Sequence, residues 1–294
     1  MDGFEIDEDL VRALVREQHP DLAGLDLREV AGGWDNQLWR LGDELAVRMP
    51  RTARGPSLLR NEHRWLPVLA PRLPLPVPIP VRIGEPSVRF PRPWTIAAWV
   101  PGEPADRVSV TRAEHAADCL ARFLRALHQN APADAPASPN RGVPLKTLTR
   151  DFDKPFRTID GIGAEVRQVW NEAVSAPEWQ GRPVWLHGDL HPANVVIADG
   201  TLAGVLDFGD LCAGDPATDL AAAWMLLPSG AATRFLNAYA NVDEAMVRRA
   251  RGWAVLRGMG LISIGRAGEL GLPGGKVTWG PAGRSTIDRV LASI

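Results

Sequence analysis

The segment from Trp185 to Asp210 constrains the fold more than any other part of the chain. It holds two apolar runs, 195–198 and 202–206, separated by the dipeptide Asp199-Gly200. Apolar, β-branched runs joined by Asp-Gly predict two antiparallel strands with a tight turn, because both turn residues tolerate positive φ angles. We therefore expect a β-hairpin formed by residues 195–206.

Three polar side chains stand at defined positions in the same segment. Asp189 is followed five residues on by Asn194, and thirteen residues further by Asp207 within Asp-Phe-Gly. Phosphoryl transfer from a nucleotide uses an Asp that orients and deprotonates a hydroxyl, and an Asn and a second Asp that bind Mg²⁺ through hard oxygen atoms. We expect the hairpin to bring Asn194 and Asp207 close together. Each residue alone is compatible with an ordinary loop or turn, but the ordered set favours phosphoryl transfer.

Composition restricts the class of protein. The 294 residues are enough for two modest domains that share a cleft, and 45% hydrophobic with 23% charged residues is ordinary for a globular chain. The acidic N-terminus and the lack of a run near ~18 apolar residues predict a cytoplasmic protein with no membrane partner. A net charge of −2 indicates no nucleic-acid partner. The cysteines, Cys119 and Cys212, lack metal-binding spacing, and we expect Cys119 to be buried.

The first hundred residues predict a small antiparallel sheet. A proline-dense stretch at 71–93 is expected to lead into an edge strand, because proline lacks a backbone N–H. The cluster Pro101-Gly102-Glu103-Pro104 is interpreted as a hinge and domain boundary. The other expected elements are a helix at 9–17 and strands at 25–30, 37–41, 45–49 and 94–100.

Two features of this region suggest phosphate binding. Gly32 and Gly33 let backbone N–H groups approach a phosphate closely, although a plain hairpin turn explains the pair equally well. Arg48 occupies the strand position where protein kinases carry a lysine, and the three lysines of this chain all lie beyond residue 145. Glu62 falls within an apolar helical stripe, where a carboxylate needs a partner, and Arg48 is the natural one. The alternatives are a surface arginine and a Glu62 that reaches solvent.

Beyond residue 101 the periodicity predicts mainly helices. Thr111 and Glu114 have the spacing of a capping box that opens the first of them. Asp215 is expected to cap a short helix, in which Asp219 either orients the loop around Asp189 or serves as an acidic residue of the first turn. Further helices are expected at 164–174, 231–239 and 242–255, followed by a glycine-rich tail.

Three motifs stand out in the chain, Leu186-His-Gly-Asp-Leu-His-Pro-Ala-Asn194, Leu206-Asp-Phe-Gly-Asp210 and Gly214-Asp-Pro-Ala-Thr-Asp219. Through these motifs the chain resembles, from about residue 25 to 240, the aminoglycoside phosphotransferase family, the antibiotic-kinase branch of the protein-kinase-like fold. Residues 46–50 and Asn61-Glu62 give weaker support.

The resemblance implies an α+β, two-lobed, protein-kinase-like fold with ATP or GTP between the lobes and Mg²⁺ as cofactors. Residues 1–100 would form a small antiparallel-sheet lobe that binds the nucleotide. Residues 101–294 would form a larger, mainly helical lobe with the catalytic loop and the acceptor site. By motif match, Asp189 would be the catalytic base, and Asn194 and Asp207 the metal ligands.

The same resemblance implies a set of nucleotide-binding residues. Arg48 and Glu62 would form the positioning pair, and the arginine in place of lysine leaves nucleotide affinity and choice open. Backbone groups near Ala98 and Val100 would bond the adenine edge, and Gly32 and Gly33 would lie near the phosphates.

We expect a kinase that moves the γ-phosphate of ATP or GTP to a hydroxyl of an aminoglycoside-like antibiotic. An enzyme for such polycations should offer spare carboxylates, yet residues 215–294 carry six acids and nine bases, and residues 103–183 carry eleven of each. A macrolide or another less charged hydroxylated metabolite is therefore an alternative acceptor. A metabolic kinase for sugars, amino alcohols or amino acids, and a nucleotide-binding module without catalysis, also stay open, as does the oligomeric state.

Overall fold

A computed structural model of the chain describes residues 5–30 and 33–294. They form two compact units, and neither is a continuous stretch of sequence. Unit 1 comprises Met1–Pro71, Pro76–Pro101 and Val205–Asp210, and unit 2 comprises Arg72–Leu75, Gly102–Gly204 and Leu211–Ile294. The assignment of nucleotide binding to residues 1–100 and of catalysis to 101–294 stays a prediction.

Unit 1 contains an antiparallel five-stranded sheet with the strand order β1-β2-β3-β5-β4. The predicted antiparallel sheet is therefore present, and the proline-dense stretch leads into the edge strand β4 as expected, because an edge strand tolerates proline. The elements are α1 (Glu8–Gln18), β1 (Leu27–Val30), β2 (Asn36–Leu41), β3 (Leu45–Pro50), α2 (Gly55–Leu69), β4 (Pro80–Gly84) and β5 (Trp94–Ala98).

The core of unit 1 lies between α1 and one face of this sheet. Asp7 caps the N-terminus of helix α1, because its Oδ1 accepts a hydrogen bond from Leu10 N at 2.8 Å. Burial of each large apolar side chain contributes about 1.5–3 kcal/mol. The buried cluster consists of Ile6, Val11, Leu14, Val15, Leu27, Trp39, Leu41, Val47, Met49, Phe90, Trp94 and Ile96.

Unit 2 is mainly helical and carries two small sheets, β6-β8-β9 and β10-β7. Together with the sheet of unit 1, this confirms the predicted α+β class. The elements are β6 (Glu103–Pro104), α3 (Ala113–Leu127), α4 (Thr149–Thr158), α5 (Ala164–Ser175), β7 (Val184–Leu186), β8 (Val195–Ala198), β9 (Thr201–Val205), β10 (Cys212–Gly214), α6 (Ala217–Leu220), α7 (Ala222–Met225), α8 (Ala231–Tyr239), α9 (Glu244–Glu269) and α10 (Trp279–Leu291).

The predicted hairpin is confirmed as strands β8 and β9. Its turn residues Asp199 and Gly200 have φ angles of 50° and 74°. Two consecutive positive φ angles give the turn the twist that a two-residue hairpin requires.

The C-terminal part of unit 2 differs from the prediction. Helix α9 runs well past residue 255, and the expected glycine-rich tail contains helix α10, which packs against α9. A methyl group on Gly283 would lie 2.4 Å from the Gly258 carbonyl oxygen, and one on Gly265 would lie 2.3 Å from Gly280 N. These glycines lower helix propensity but allow the two helix backbones to approach closely, which is why propensity alone misjudged them.

Two predicted helix caps have different outcomes. The capping box is wrong, because α3 begins at Ala113 with no side-chain cap, and the Thr111 and Arg112 amides donate instead to the Gly200 carbonyl at 3.0 and 2.9 Å. The hairpin turn thus supplies the Thr111 amide with the acceptor that the Glu114 carboxylate was expected to provide. Asp215 Oδ1 does accept a hydrogen bond from Ala217 N at 3.0 Å, but Pro216 and not Asp215 directly precedes α6.

The remaining expectations concern cysteines and membrane spans. Cys119 is buried, as predicted, and Cys212 is buried as well. In the part of the chain that the structure describes, no helix has both the length and the apolar character needed to cross a bilayer.

Candidate active site

Arg48 on β3 and Glu62 on α2 form an ion pair inside unit 1. Glu62 lies on the buried stripe of α2 and is fully buried, while Arg48 is 7% exposed. The guanidinium Nη1 donates to Glu62 Oε2, and Nη2 donates to Asp207 Oδ1 at 3.3 Å. The predicted pair is therefore present, and the alternatives of a surface arginine and a solvent-reaching glutamate are wrong. Its role in positioning a nucleotide stays a prediction.

The pKa values of Glu62 and Arg48 depend on burial and on the charges beside them. Burial raises the pKa of Glu62 to about 7, and the nearby Asp207 carboxylate adds to the rise although Arg48 opposes it. Burial alone would lower the pKa of Arg48, but Glu62 and Asp207 outweigh it and raise that pKa. Asp207 has a φ angle of 59°, a conformation that Asp tolerates better than most residues. One guanidinium thus joins a buried acid to the predicted metal ligand.

A second charged cluster of unit 1 was not predicted. Arg54 Nη2 donates to Asp210 Oδ1 at 2.7 Å and to Oδ2 at 2.9 Å, and Arg54 Nε lies 3.4 Å from Asp35 Oδ2. Thr52 Oγ1 donates to Asp35 Oδ1 at 2.5 Å. Burial raises the pKa of Asp35, although Thr52 and Arg54 oppose it. The cluster links the loop that follows Gly33 to the segment that carries Asp207.

Two glycines, Gly32 and Gly33, were predicted to lie near the phosphates of the nucleotide. Gly32 lies outside the described residues. The Gly33 carbonyl accepts a hydrogen bond from Arg51 Nη2 at 2.6 Å, and a methyl group on Gly33 would lie 3.7 Å from the nearest atom, Asn36 O. Steric crowding therefore does not explain the glycine.

The end of β5 was predicted to meet the adenine edge. The Ala98 amide donates to Ile79 O at 2.9 Å, and the Trp99 amide donates to Glu44 O at 2.7 Å. These two amides hold the strand end within unit 1. Adenine recognition near Ala98 and Val100 stays a prediction.

Asp219 fixes the loop that follows β7 in unit 2. Its Oδ2 accepts a hydrogen bond from His187 N at 2.7 Å, and its Oδ1 accepts one from Gly188 N at 2.9 Å. Gly188 has a φ angle of 80°, which explains the glycine at this position. Of the two interpretations of Asp219, the geometry supports the one in which it orients the loop around Asp189.

Asp219 is itself held by residues that sequence reasoning missed. His128 Nε2 lies 3.2 Å from Asp219 Oδ2, and His128 Nδ1 lies 2.8 Å from the Tyr239 hydroxyl. Burial would raise the pKa of Asp219, but the hydrogen bonds from His128 and the Gly188 amide, together with the proximity of the His128 and His187 side chains, lower it. The carboxylate is therefore ionised, which makes it a strong acceptor for the loop amides.

Asp189 lies among three nitrogen-bearing side chains. Its Oδ1 accepts from Arg141 Nη2 at 3.0 Å and from Arg257 Nη1 at 3.3 Å, and its Oδ2 lies 3.5 Å from His191 Nε2. Because His191 Nδ1 accepts the Ala193 amide at 3.3 Å, Nε2 carries the ring proton and donates. Burial would raise the pKa of Asp189, but His191, Arg141 and Arg257 hold it well below its usual range.

Asn194 supports the same loop. Its Nδ2 donates to the Asp189 carbonyl at 3.0 Å, so that the amide oxygen is the atom left to bind a cation. The oxygen donors of Asn194 and Asp207 are of the type that Mg²⁺ prefers. Within residues 5–30 and 33–294, no group of three or more His, Cys, Asp and Glu side chains is arranged as a metal site.

The site residues that sequence reasoning missed are all distant in sequence from the carboxylates that they surround. Arg141 lies in a loop rich in proline and alanine, Arg257 lies on α9, and no motif marks either of them. His128 and Tyr239 are separated from Asp219 by a long stretch of sequence. Such contacts depend on tertiary packing, and only the short spacing around Asp189 is readable from the chain.

Comparisons with known proteins cover most of the chain. The sequence profile described as the phosphotransferase enzyme family matches residues 26–258. Aminoglycoside 3'-phosphotransferase of Escherichia coli is 29% identical over 147 residues, which cover 46% of this chain and 52% of that protein. Homoserine kinase of Acidiphilium cryptum (strain JF-5) is 32% identical over 139 residues, or 46% of this chain and 43% of that protein. The chain thus spans about half the length of the curated relatives it matches.

A solved structure extends the likeness to the whole chain. The GDP complex of wild-type aminoglycoside 2'-phosphotransferase-IIIa superimposes with a TM-score of 0.71 at 18% identity, over 98% of this chain and 99% of that one. The likeness confirms the predicted fold, including its kinase-like architecture.

Proposed function

This chain belongs to the phosphotransferase enzyme family, and on that premise we propose that it is a small-molecule kinase. It transfers the γ-phosphoryl group of ATP or GTP to a hydroxyl group of its acceptor. The observation that supports this most directly is Asp189, an ionised carboxylate on a loop whose backbone is bonded to Asp219.

Asp189 acts on the acceptor hydroxyl. Its Oδ1 accepts hydrogen bonds from two guanidinium groups, and its Oδ2 lies farther, at 3.5 Å, from His191 Nε2. The hydroxyl donates its hydrogen bond to Oδ2, which orients the oxygen toward the phosphorus. The new bond joins this oxygen to the γ-phosphorus, the bond to the bridging oxygen of the nucleotide breaks, and the proton passes to Asp189. A low pKa suits an orienting role, because phosphoryl transfer depends on positioning more than on a strong base.

The remaining predicted residues bind the nucleotide and the metal. Asn194 and Asp207 would hold Mg²⁺, which when bound neutralises charge on the phosphate oxygens. Arg48 contacts the phosphates while Glu62 fixes its position, as the ion pair between them suggests. Gly32, Gly33, Ala98 and Val100 keep their predicted roles at the phosphates and the adenine.

Asp189→Asn tests the central assignment. Because the amide cannot accept the proton, we expect transfer to fall by about 10²–10⁴-fold, while nucleotide affinity changes by less than about threefold. A coupled assay of nucleotide turnover with the acceptor, and calorimetric titration of the nucleotide, measure the two effects. Asp153→Asn, at a part-exposed acid of α4, serves as the control. Transfer within tenfold of the wild type would reject Asp189 as the base.

Two classes of acceptor are supported by different observations. The relative named as an aminoglycoside 3'-phosphotransferase supports an aminoglycoside-like antibiotic. The charge of residues 215–294 supports a macrolide or another less charged hydroxylated metabolite, and the relative named as a homoserine kinase supports a metabolite of that second kind. Expression in an antibiotic-sensitive host separates resistance from a metabolic role. A cytoplasmic location and the lack of a nucleic-acid partner stay predictions.

A further inference from the structure

Trp279, the first residue of helix α10, packs against a histidine of the loop that carries Asp189. The Trp279 and His191 rings lie edge to face, with their centroids 4.6 Å apart and their planes at 63°. His191 is 7% exposed, and its Nε2 lies 3.5 Å from Asp189 Oδ2. One imidazole ring therefore separates the C-terminal helix pair from the proposed base.

The polar contacts of His191 leave the orientation of its ring loosely defined. Nδ1 accepts the Ala193 amide at 3.3 Å, and Nε2 reaches Asp189 Oδ2 at 3.5 Å. Both separations exceed the ~3.2 Å upper end of well-formed N–H hydrogen bonds. An edge-to-face aromatic contact is directional and adds attraction beyond the burial of the rings. The Trp279 ring thus supplies a third constraint on the imidazole.

The backbone around Trp279 is itself held in place. Thr278 Oγ1 donates to Asp106 Oδ2 at 2.6 Å, which ties the start of α10 to the segment after β6. On the other side, a methyl group on Gly265 of α9 would lie 2.3 Å from Gly280 N and 3.3 Å from the Trp279 carbonyl carbon. The close approach of α9 and α10 therefore sets where the Trp279 ring is presented.

From these contacts we propose that Trp279 is a positioning residue for phosphoryl transfer, which holds the His191 ring so that Nε2–H stays directed at Asp189 Oδ2. The inference rests on the proposed function, in which the acceptor hydroxyl bonds to the same carboxylate oxygen. A tilted imidazole would let that oxygen turn, and small misplacements of a reacting group lower the rate of transfer steeply. Trp279 acts through His191.

The first test separates the aromatic contact from simple packing. Trp279→Leu keeps an apolar side chain but removes the ring, whereas Trp279→Phe keeps a ring. With the best acceptor from a panel of aminoglycosides, macrolides and homoserine, we expect kcat of Trp279→Leu to fall at least about tenfold. Trp279→Phe should stay within about threefold of the wild type. The KM values for acceptor and nucleotide should change by less than about threefold in both variants.

A matched control and two contrary outcomes make this test decisive. Trp179→Leu is the control, because Trp179 is a partly exposed tryptophan of the same unit whose Nε1 donates to the Arg182 carbonyl at 3.2 Å. Its kcat should stay within about twofold of the wild type, and thermal unfolding of every variant shows that it is folded. A Phe variant as slow as the Leu variant would overturn the inference. So would a raised acceptor KM at unchanged kcat, because it would show direct contact with the acceptor.

The second test asks whether the effect of Trp279 passes through His191. In a double-mutant cycle, Trp279→Leu should change kcat by less than about twofold once His191→Ala is present. A residue that supports the fold independently of His191 would instead multiply the two losses. Full multiplication of the two effects would therefore overturn the inference.

The third test needs no acceptor. The chain has six histidines, and long-range ¹H–¹⁵N spectra of histidine-labelled protein report the tautomer of each ring. His191, assigned by its absence in His191→Ala, should show a single Nε2–H form in the wild type and in Trp279→Phe. In Trp279→Leu its signals should broaden or shift toward a mixture. An unchanged His191 signal in Trp279→Leu would overturn the inference.

The outcomes also distinguish this inference from the function on which it rests. A wild type that transfers phosphate, with Trp279→Leu equally fast, would overturn the positioning role and leave the kinase intact. A wild type that binds no ATP or GTP and modifies no acceptor of the panel would reject the kinase. The inference would then fall with it, whatever the spectra show of the ring contact.

Discussion

Arg48 has two carboxylate partners in unit 1, and a lysine at this position would lack the planar fork that reaches both. The guanidinium contacts Glu62 through one terminal nitrogen and Asp207 through the other. Removing it leaves a buried acid without its cation, which is among the most costly changes a single substitution can make.

We expect Arg48→Ala to lower the free energy of unfolding by about 3–5 kcal/mol at pH 8. Burial raises the pKa of Glu62 to about 7 in the native protein, above its value of 4.5 in the unfolded chain. A raised carboxyl pKa contributes stability below the unfolded value, and this stability is lost as pH rises through about 7. Without Arg48 that loss should be larger, so the destabilisation should grow between pH 5 and pH 8.

Urea unfolding at both pH values measures this effect. Arg28→Ala is the control, because Arg28 is exposed on β1, and it should change stability by less than ~0.5 kcal/mol. An equal effect of Arg48→Ala at pH 5 and pH 8 would contradict the assignment.

Asp219 gives the opposite dependence on pH. Its pKa is lowered in the folded protein, so it contributes stability above the unfolded value near 3.8, and this is lost as pH falls through the folded value. We expect Asp219→Asn to cost about 3–5 kcal/mol at pH 7, because the His187 and Gly188 amides lose a charged acceptor, and less at pH 3. Denaturant unfolding measures this loss of stability. Asp288→Asn is the control, because Asp288 is exposed. A variant as stable as the wild type at pH 7 would show that the loop does not depend on this carboxylate.

At the scale of elements, the pair α9 and α10 depends on close backbone contact. A methyl group on Gly283 would lie 2.4 Å from the Gly258 carbonyl, whereas one on Gly260 of α9 would meet nothing within 4 Å. We expect Gly283→Ala to destabilise by about 1–3 kcal/mol, and Gly260→Ala to be neutral or stabilising by up to ~1 kcal/mol. Thermal unfolding of the two variants compares them directly. Equal changes in the stability of the two variants would mean that α9 and α10 do not depend on close backbone contact at Gly283.

Local signals predicted the elements whose geometry is set by their own residues. The hairpin of β8 and β9 was readable because Asp199-Gly200 accepts two positive φ angles, and the edge position of β4 followed from its prolines. Helix α10 was not readable, because Gly280, Pro281 and Gly283 oppose a helix locally and are tolerated only where another backbone packs closely. Element type thus failed where tertiary packing overrode propensity.

The residues of the site also divide into those that local sequence predicts and those that tertiary packing brings together. Asp189, Asn194 and Asp207 stand at short, fixed spacings, and the partner of Glu62 followed from the cost of burying a lone carboxylate. Arg141 and Arg257 reach Asp189 from a distant loop and a distant helix, and no spacing rule connects them. Their contacts to Asp189 therefore required the structure.

For the whole molecule, ligand binding should appear as added thermal stability. At a nucleotide concentration about 100 times its dissociation constant, binding adds ~2.7 kcal/mol, which for a chain of this size raises Tm by roughly 4 °C. We expect ATP or GTP to produce this shift in the presence of Mg²⁺, and EDTA to reduce it. Asp207→Ala should reduce the shift to the EDTA level, because it removes a predicted metal ligand.

Differential scanning fluorimetry with both nucleotides measures these shifts and their order. The wild type with EDTA is the control for the variant. A full Mg²⁺-dependent shift in Asp207→Ala would count against Asp207 as a ligand.

Unit 1 is completed by Val205–Asp210, a segment that follows the whole stretch Gly102–Gly204 in the chain. A ribosome therefore synthesises the strands β1–β5 of unit 1 long before it synthesises Asp207 and Asp210. At ~5–20 residues per second the delay is on the order of 5–20 s. During that time Arg48 and Arg54 lack carboxylate partners that they have in the finished protein. We expect a gene fragment that stops at Pro101 to encode an incomplete unit 1, because it lacks the segment Val205–Asp210.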